Sequence, residues 1–107
     1  MKAQFNGLFP SEAERLFLLI EEAGEVQHIV GKILRRGYQS YHPEDPDYSN
    51  RKLLEKELGD LLFAIDLMIR CHDVDEQSIE HSKRLKSGTV QQYLHHQSRD
   101  ADGNFWR

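Results

Sequence analysis

Three glutamates lie in a stretch whose pattern otherwise predicts a buried helix. In LLIEEAGEV, residues 18–26, Glu22 and Glu25 fall on the same helical row as Leu18 and Ile29, because residues three or four apart share one face of a helix. Because apolar residues lie at both ends of this row, we predict that the two carboxylates between those residues point towards a partly dry interface.

A second acidic pair repeats this arrangement further along the chain. Glu57 and Asp60, in the stretch ELGD, lie three residues apart on a row that continues through Leu53 and Ala64. Consecutive helices joined by a short loop can pack antiparallel, so we expect the two acidic pairs to face each other. Glu21 lies at the edge of the first pair.

Four carboxylates in one partly dry cleft need a counter-charge. Two like charges 5 Å apart repel by roughly 3 kcal/mol at an effective dielectric constant near 20. Either the pKa values rise or a cation lies between the groups. An all-carboxylate site suits a hard divalent ion, so the residues predict a site for Mg²⁺, with Mn²⁺ as a possible substitute.

The elements that position these acids are predicted to be helices. Periodicity and end signals predict helices at about 11–36, 50–72 and 76–95, a loop at 37–49 and a polar tail at 97–107. Ser11 and Glu14 have the spacing of a capping box, and Asp75 is the expected N-cap of the third helix. We therefore predict an all-α fold in a single domain, residues 1–107. Its core is a bundle of two long antiparallel helices with a shorter third helix.

The composition suggests that this helical bundle is not stable as a monomer. Hydrophobic residues make up 38% of the chain and charged residues 30%, which is a low apolar content for an isolated small domain. Gly24 and Gly31 interrupt the first helix at about 1 kcal/mol each relative to alanine, a cost that close approach of another helix would explain. We expect the core to be completed by homo-oligomerisation, as a dimer or tetramer.

The overall charge and the single cysteine limit the partners and the cellular compartment that we expect for this protein. A net charge of −4 gives no general affinity for nucleic acid polymers. Cys71 is the only cysteine and cannot form an internal disulfide, which is typical of a reducing compartment. With neither a signal sequence nor a membrane-spanning pattern in view, we expect a cytoplasmic protein without a membrane partner.

The two acidic motifs together resemble a known signature. EEAGE, which contains Glu21, Glu22 and Glu25, followed by ELGD with Glu57 and Asp60, is similar to the EExxE…ExxD pattern of the MazG-like all-α nucleoside triphosphate pyrophosphohydrolases. The resemblance covers roughly residues 12–70. The 31 residues between the motifs exceed the spacing of many members, and the loop at 37–49 accounts for the excess.

The resemblance implies an activity and a set of roles. It implies Mg²⁺-dependent hydrolysis of a nucleoside triphosphate to the monophosphate and pyrophosphate. Glu22, Glu25, Glu57 and Asp60 are then the expected metal ligands, and Glu21 is expected to orient or deprotonate the attacking water. Attack at the α-phosphorus develops charge on phosphate oxygens, which bound metal ions neutralise.

Binding of a triphosphate also requires cationic side chains. Lys32 and Arg35 follow the first motif by two to three helical turns, and Lys83 and Lys86 share a face of the third helix, where the family resemblance places basic residues near the triphosphate. Tyr38 is a candidate for stacking on the base, although ordinary surface roles are an alternative for all five. Asn50 is expected to cap the second helix.

Two other functions fit parts of the sequence. Glu25 and His28 form an E-x-x-H motif, and a symmetric dimer with two copies of Glu25, His28 and Glu57 would resemble a di-iron carboxylate bundle. A helical interaction module without catalytic activity is the second alternative, because the glycine-bearing apolar face suits an oligomer interface in either case.

Overall fold

The computed structural model describes residues 5–106. It contains three α-helices: α1 (Pro10–Arg36), α2 (Asn50–Arg70) and α3 (Glu76–Thr89). A single 3₁₀ turn follows at Val90–Gln92, and Ser98–Arg99 (β1) pairs antiparallel with Phe105–Trp106 (β2). The regular structure is therefore almost entirely helical, with two long helices and a shorter third, as predicted.

The helix ends differ in detail from the sequence expectations. α1 begins at Pro10, and the Phe9 backbone N–H donates to the Glu12 carboxylate at 2.8 Å. The predicted capping box of Ser11 and Glu14 is therefore wrong. The reason is that proline at the first helical position has its φ angle already set and lacks the N–H that would need a partner.

The later boundaries also have local causes. Asp75 caps α3 by accepting from the Ser78 backbone N–H at 2.9 Å, as expected. Regular α3 ends at Thr89 instead of 95, because the 3₁₀ turn takes over. The polar tail forms the small β1–β2 hairpin, in which the Arg99 guanidinium lies 4.0 Å from the centre of the Phe105 ring.

The chain divides after Val74 into two compact units. In the first unit, α1 and α2 pack against each other as a hairpin. Arg15, near the start of α1, binds Asp73, just after α2, while Asn50 at the start of α2 donates to the carbonyl of Gly37 at the end of α1. These two contacts at opposite ends show that the helices run antiparallel.

The seam between α1 and α2 is narrow. Within the described residues, the buried apolar side chains are Ile29, Ala64 and Met68. α2 ends in a left-handed turn at His72, with φ of 62°. The Asp73 backbone N–H reaches back to the Met68 carbonyl at 2.9 Å, and this closure places the Asp73 side chain against Arg15.

Candidate active site

Three carboxylates from the two long helices converge at the middle of the hairpin. Glu22 of α1 and Glu57 and Asp60 of α2 each offer an oxygen, and these oxygens all lie within 4.8 Å of one another. We call these three residues the acid group. Their convergence follows from the apolar rows on which Glu22 and Glu57 sit, since packing those rows turns both side chains towards the seam.

The acid group is half-buried. The Glu57 side chain is 14% exposed and the Asp60 side chain 43%, so the group is closed on the seam side and open on one edge. Desolvation raises the pKa of Glu22, and the neighbouring charges of Asp60, Glu21 and Glu57 raise it further. The protein itself therefore compensates the charge of Glu22 poorly.

A lysine lies at the open edge of the acid group. The Lys56 ammonium is 2.8 Å from Asp60 Oδ2 and 3.4 Å from Glu57 Oε1. These contacts, led by the hydrogen bond to Asp60, raise the pKa of Lys56. Sequence analysis did not single out Lys56, although its position four residues before Asp60 is the spacing at which helical ion pairs form.

The donor set fits a small hard cation. Two oxygens on opposite sides of one Mg²⁺ ion lie about 4.2 Å apart, given metal–oxygen distances of about 2.1 Å. The 4.8 Å limit of the acid group therefore requires only small side-chain adjustments for all three carboxylates to reach one ion. The set contains oxygen ligands alone, which favours Mg²⁺ or Mn²⁺ over softer metals.

The other predicted acids lie outside this group. Glu25 and Glu21 are both exposed, and neither belongs to the set of oxygens that meet within 4.8 Å. Glu25 therefore lies on the solvent-facing rim instead of within the acid group. His28, the partner of Glu25 in the E-x-x-H motif, is exposed as well.

A small cleft with basic walls lies between the end of α1, the following loop and the start of α2. Its volume is about 130 Å³. The residues that line it, which we call the basic cleft, are Lys32, Arg35, Arg36, Tyr41, His42, Asn50 and Leu53. Two predicted substrate-binding residues, Lys32 and Arg35, therefore come together here with a third cation, Arg36.

Backbone hydrogen bonds hold the loop that forms one wall of this cleft. The Asn50 N–H donates to the Ser40 carbonyl at 2.8 Å and the Arg51 N–H to the Tyr38 carbonyl at 2.9 Å. The His42 Nδ1 accepts from the Glu44 N–H at 3.1 Å, which leaves its Nε2 as a donor. The Tyr- and Pro-rich loop is thus docked onto the first turn of α2.

Asn50 does not act as the cap that the sequence suggested. Ser49 is the N-cap of α2, since its hydroxyl accepts from the Lys52 N–H at 3.3 Å. Asn50 is only 5% exposed, and its side-chain amide donates to the Gly37 carbonyl at 3.1 Å. It therefore ties the end of α1 to the start of α2 and fixes the floor of the basic cleft.

The remaining predicted residues occupy other places. Tyr38 is half-exposed and its ring lies under the Arg51 guanidinium at 4.3 Å, so that face of the ring is already covered. In the second unit, Lys83 and Lys86 line one hollow together with Val90, Leu94 and Phe105, among others. The Lys83 ammonium also contacts Glu80 at 3.1 Å.

Comparison with known families returns one match. The model of the MazG nucleotide pyrophosphohydrolase domain matches residues 11–84, a range that contains α1, α2 and both acidic motifs. Neither the comparison with curated proteins nor that with solved structures finds a match.

Within residues 5–106, no helix combines the length and the apolar character needed to cross a membrane.

Proposed function

Because the chain belongs to the MazG nucleotide pyrophosphohydrolase family, we propose that it hydrolyses a nucleoside triphosphate to the monophosphate and pyrophosphate in a Mg²⁺-dependent reaction. The observation that carries this proposal is the acid group, which joins one carboxylate from α1 to two from α2 within 4.8 Å. Phosphoryl chemistry depends chiefly on positioning and charge neutralisation, and a half-buried set of carboxylates supports both through a bound divalent ion.

Glu22, Glu57 and Asp60 are the proposed metal ligands. Glu25 lies on the exposed rim, where we propose that it adds a ligand once a metal–nucleotide complex has bound. The divalent ion, when bound, supplies charge neutralisation at the phosphate oxygens and a lowered pKa for bound water. Mn²⁺ is the expected substitute for Mg²⁺ because it prefers the same oxygen ligands.

Glu21 is the residue that we propose to deprotonate the attacking water. Its exposed position next to Glu22 lets it accept a proton from a water molecule directed at the α-phosphorus. The oxygen of that water forms the new bond to the α-phosphorus, and the bond to the bridging oxygen of the β-phosphate breaks, so that pyrophosphate leaves. Lys32, Arg35, Lys83 and Lys86 are proposed as cations for the phosphates, and Tyr38 as a further substrate contact on the loop.

We also propose that the protein works as a homo-oligomer. The exposed large apolar side chains of α1 and α2 include Ile20, Val30, Leu34, Leu58 and Leu62. Each of these five follows by one position a less exposed residue that faces the other helix, namely Leu19, Ile29, Ile33, Glu57 or Leu61. In an antiparallel pair this equal rotation brings all five to the same side of the hairpin. We call these residues the apolar side, and a second copy of the hairpin is its proposed partner.

A nucleotide panel tests the proposed reaction. We expect at least one canonical or modified nucleoside triphosphate to yield monophosphate and pyrophosphate in equal amounts when Mg²⁺ or Mn²⁺ is present. Product identification matters, because release of orthophosphate would indicate attack at the γ-phosphorus. A full panel without pyrophosphate would contradict the proposal.

A further inference from the structure

The basic cleft carries more positive charge than its surroundings explain. Within the described residues, Lys32, Arg35 and Arg36 take part in no ion pair, although Arg15, Lys56 and Lys83 each do. Basic residues in the last turn of a helix are favourable because of the helix dipole, which accounts for Arg35 and Arg36. The helix dipole does not account for Lys32, which lies one turn earlier. Nor does it account for the loop at 37–49, which adds two neutral hydrogen-bond donors to the cleft.

Those donors come from the loop. Tyr41, which carries a hydroxyl group, and His42 both line the cleft. The contact of His42 Nδ1 with the Glu44 N–H leaves Nε2 of His42 as a donor. Three mutually repelling cations and two neutral donors around about 130 Å³ form a site that favours a small, multiply charged anion. Leu53 is the one aliphatic residue in the lining, so an uncharged base is the poorer match.

One row of α2 connects the basic cleft to the acid group. Leu53 of the cleft precedes Glu57 of the acid group by four residues on this row, a rise of about 6 Å. Along α2, the basic cleft therefore begins about one helical turn from Glu57, on the side of the loop.

We propose that the basic cleft binds the β- and γ-phosphates of the substrate, so that the nucleotide lies with its pyrophosphate end towards the loop and its nucleoside away from it. The proposal rests on the proposed function, since it assigns a direction to that substrate. It gives Arg36, Tyr41 and His42 a role in holding the leaving pyrophosphate. The loop at 37–49 then serves as the wall that shapes this end of the site.

Inorganic pyrophosphate is the direct probe. In EDTA, where no metal bridges the anion to the acid group, we expect calorimetry to detect pyrophosphate binding to the wild-type chain. Arg36→Gln should weaken that binding by about tenfold, because a charge-assisted contact is lost, and Lys32→Gln should have an effect of similar size. Arg70→Gln is the matched control, since Arg70 occupies the last turn of α2 as Arg36 does that of α1.

The direction of the nucleotide is tested with its two products in Mg²⁺. Arg36→Gln should raise the inhibition constant of pyrophosphate and leave that of the nucleoside monophosphate within about twofold of wild type. Circular dichroism of each variant confirms that the helices are retained. Unchanged pyrophosphate binding in both cleft variants, or weakened binding of the monophosphate alone, would overturn the assignment.

The two proposals fail in different ways. Pyrophosphate binding that depends on Arg36, in a protein that hydrolyses no nucleotide, would uphold the anion site and overturn the reaction. If the protein hydrolyses a nucleotide but both cleft variants bind pyrophosphate as tightly as wild type, the proposed reaction is upheld and the cleft assignment is overturned.

Discussion

Glu22 is the residue on which both the seam and the proposed chemistry depend. Its carboxylate lies in the α1–α2 interface, where desolvation and three neighbouring acids raise its pKa. A raised pKa in the folded state means that the ionised side chain destabilises the fold once the pH exceeds that pKa. The protein therefore carries an electrostatic cost at neutral pH that a bound divalent ion would offset.

This cost leads to a stability prediction. In EDTA at neutral pH, Glu22→Gln should melt at a higher temperature than wild type, and the difference should shrink as the pH falls below the ordinary range for glutamate. Added Mg²⁺ should raise the melting temperature of wild type more than that of the variant. Glu55→Gln, on an exposed position of α2, is the control and should change neither quantity. A Glu22→Gln variant less stable than wild type under these conditions would contradict the electrostatic argument.

The residue scale also shows what the sequence could predict and what it could not. The rows through Glu22 and Glu57 were visible because apolar residues at three- and four-residue spacing mark the packed face. The geometry brings Glu22, Glu57 and Asp60 together but leaves Glu25 exposed. The expected group of four acids is therefore three acids and a rim residue. The sequence could not predict this difference, because the two acidic pairs have the same three-residue spacing.

Other features depend on contacts between distant parts of the chain. Asn50 looked like a cap because asparagine is a frequent N-cap, but Ser49 precedes it and takes that role. The buried contact of Asn50 with Gly37 exists only because the loop returns to the end of α1. The basic cleft has the same origin, so helical periodicity alone could not reveal it.

At the scale of the elements, one ion pair closes the open end of the helix hairpin. Arg15 binds both carboxylate oxygens of Asp73, with Nη2 at 2.9 Å from Oδ1. Their side chains are only 16% and 13% exposed. The hydrogen bond from Arg15 lowers the pKa of Asp73 despite some desolvation. The opposite end is closed by the Asn50–Gly37 contact, so the two helices are held in register at both ends.

The pH dependence of this ion pair has a definite sign. A lowered pKa in the folded state contributes stability above the ordinary aspartate pKa of 3.8, and that stability is lost as the pH falls through the lowered value. Asp73→Asn should therefore lower the melting temperature by several degrees at neutral pH, with a smaller difference in acid. Thermal unfolding across this pH range measures the effect, and Asp66→Asn on the exposed part of α2 is the control. Equal melting temperatures for Asp73→Asn and wild type at neutral pH would refute the role of the pair.

At the scale of the whole molecule, the apolar side of the hairpin leaves large hydrophobic residues exposed. Leu34 is 82% exposed and Leu62 is 59% exposed. A chain whose described part buries only three apolar side chains has little hydrophobic stabilisation of its own. Association through the apolar side would supply the missing burial.

Oligomerisation is testable by placing one charge on the apolar side. We expect the wild-type chain to sediment as a dimer or tetramer, and Leu62→Lys to sediment as a smaller species because an unpaired ammonium cannot be buried at an apolar interface. Phe63→Lys introduces the same side chain at an exposed apolar position (57% exposed) that lies about 100° round α2 from Leu62, and it should leave the oligomer intact. A wild-type chain that sediments as a monomer at every concentration would rule out this arrangement.

Pyrophosphate release by matched variants tests the proposed reaction most directly. With the best nucleotide from the panel and saturating Mg²⁺, we expect Glu22→Gln and Asp60→Asn to lose at least about a hundredfold in rate, since each removes a ligand charge from the metal site. Glu55→Gln should retain the wild-type rate, and all three variants should keep the helical circular dichroism of wild type. Pyrophosphate release at the wild-type rate by folded Glu22→Gln and Asp60→Asn would show that the acid group is not the catalytic metal site.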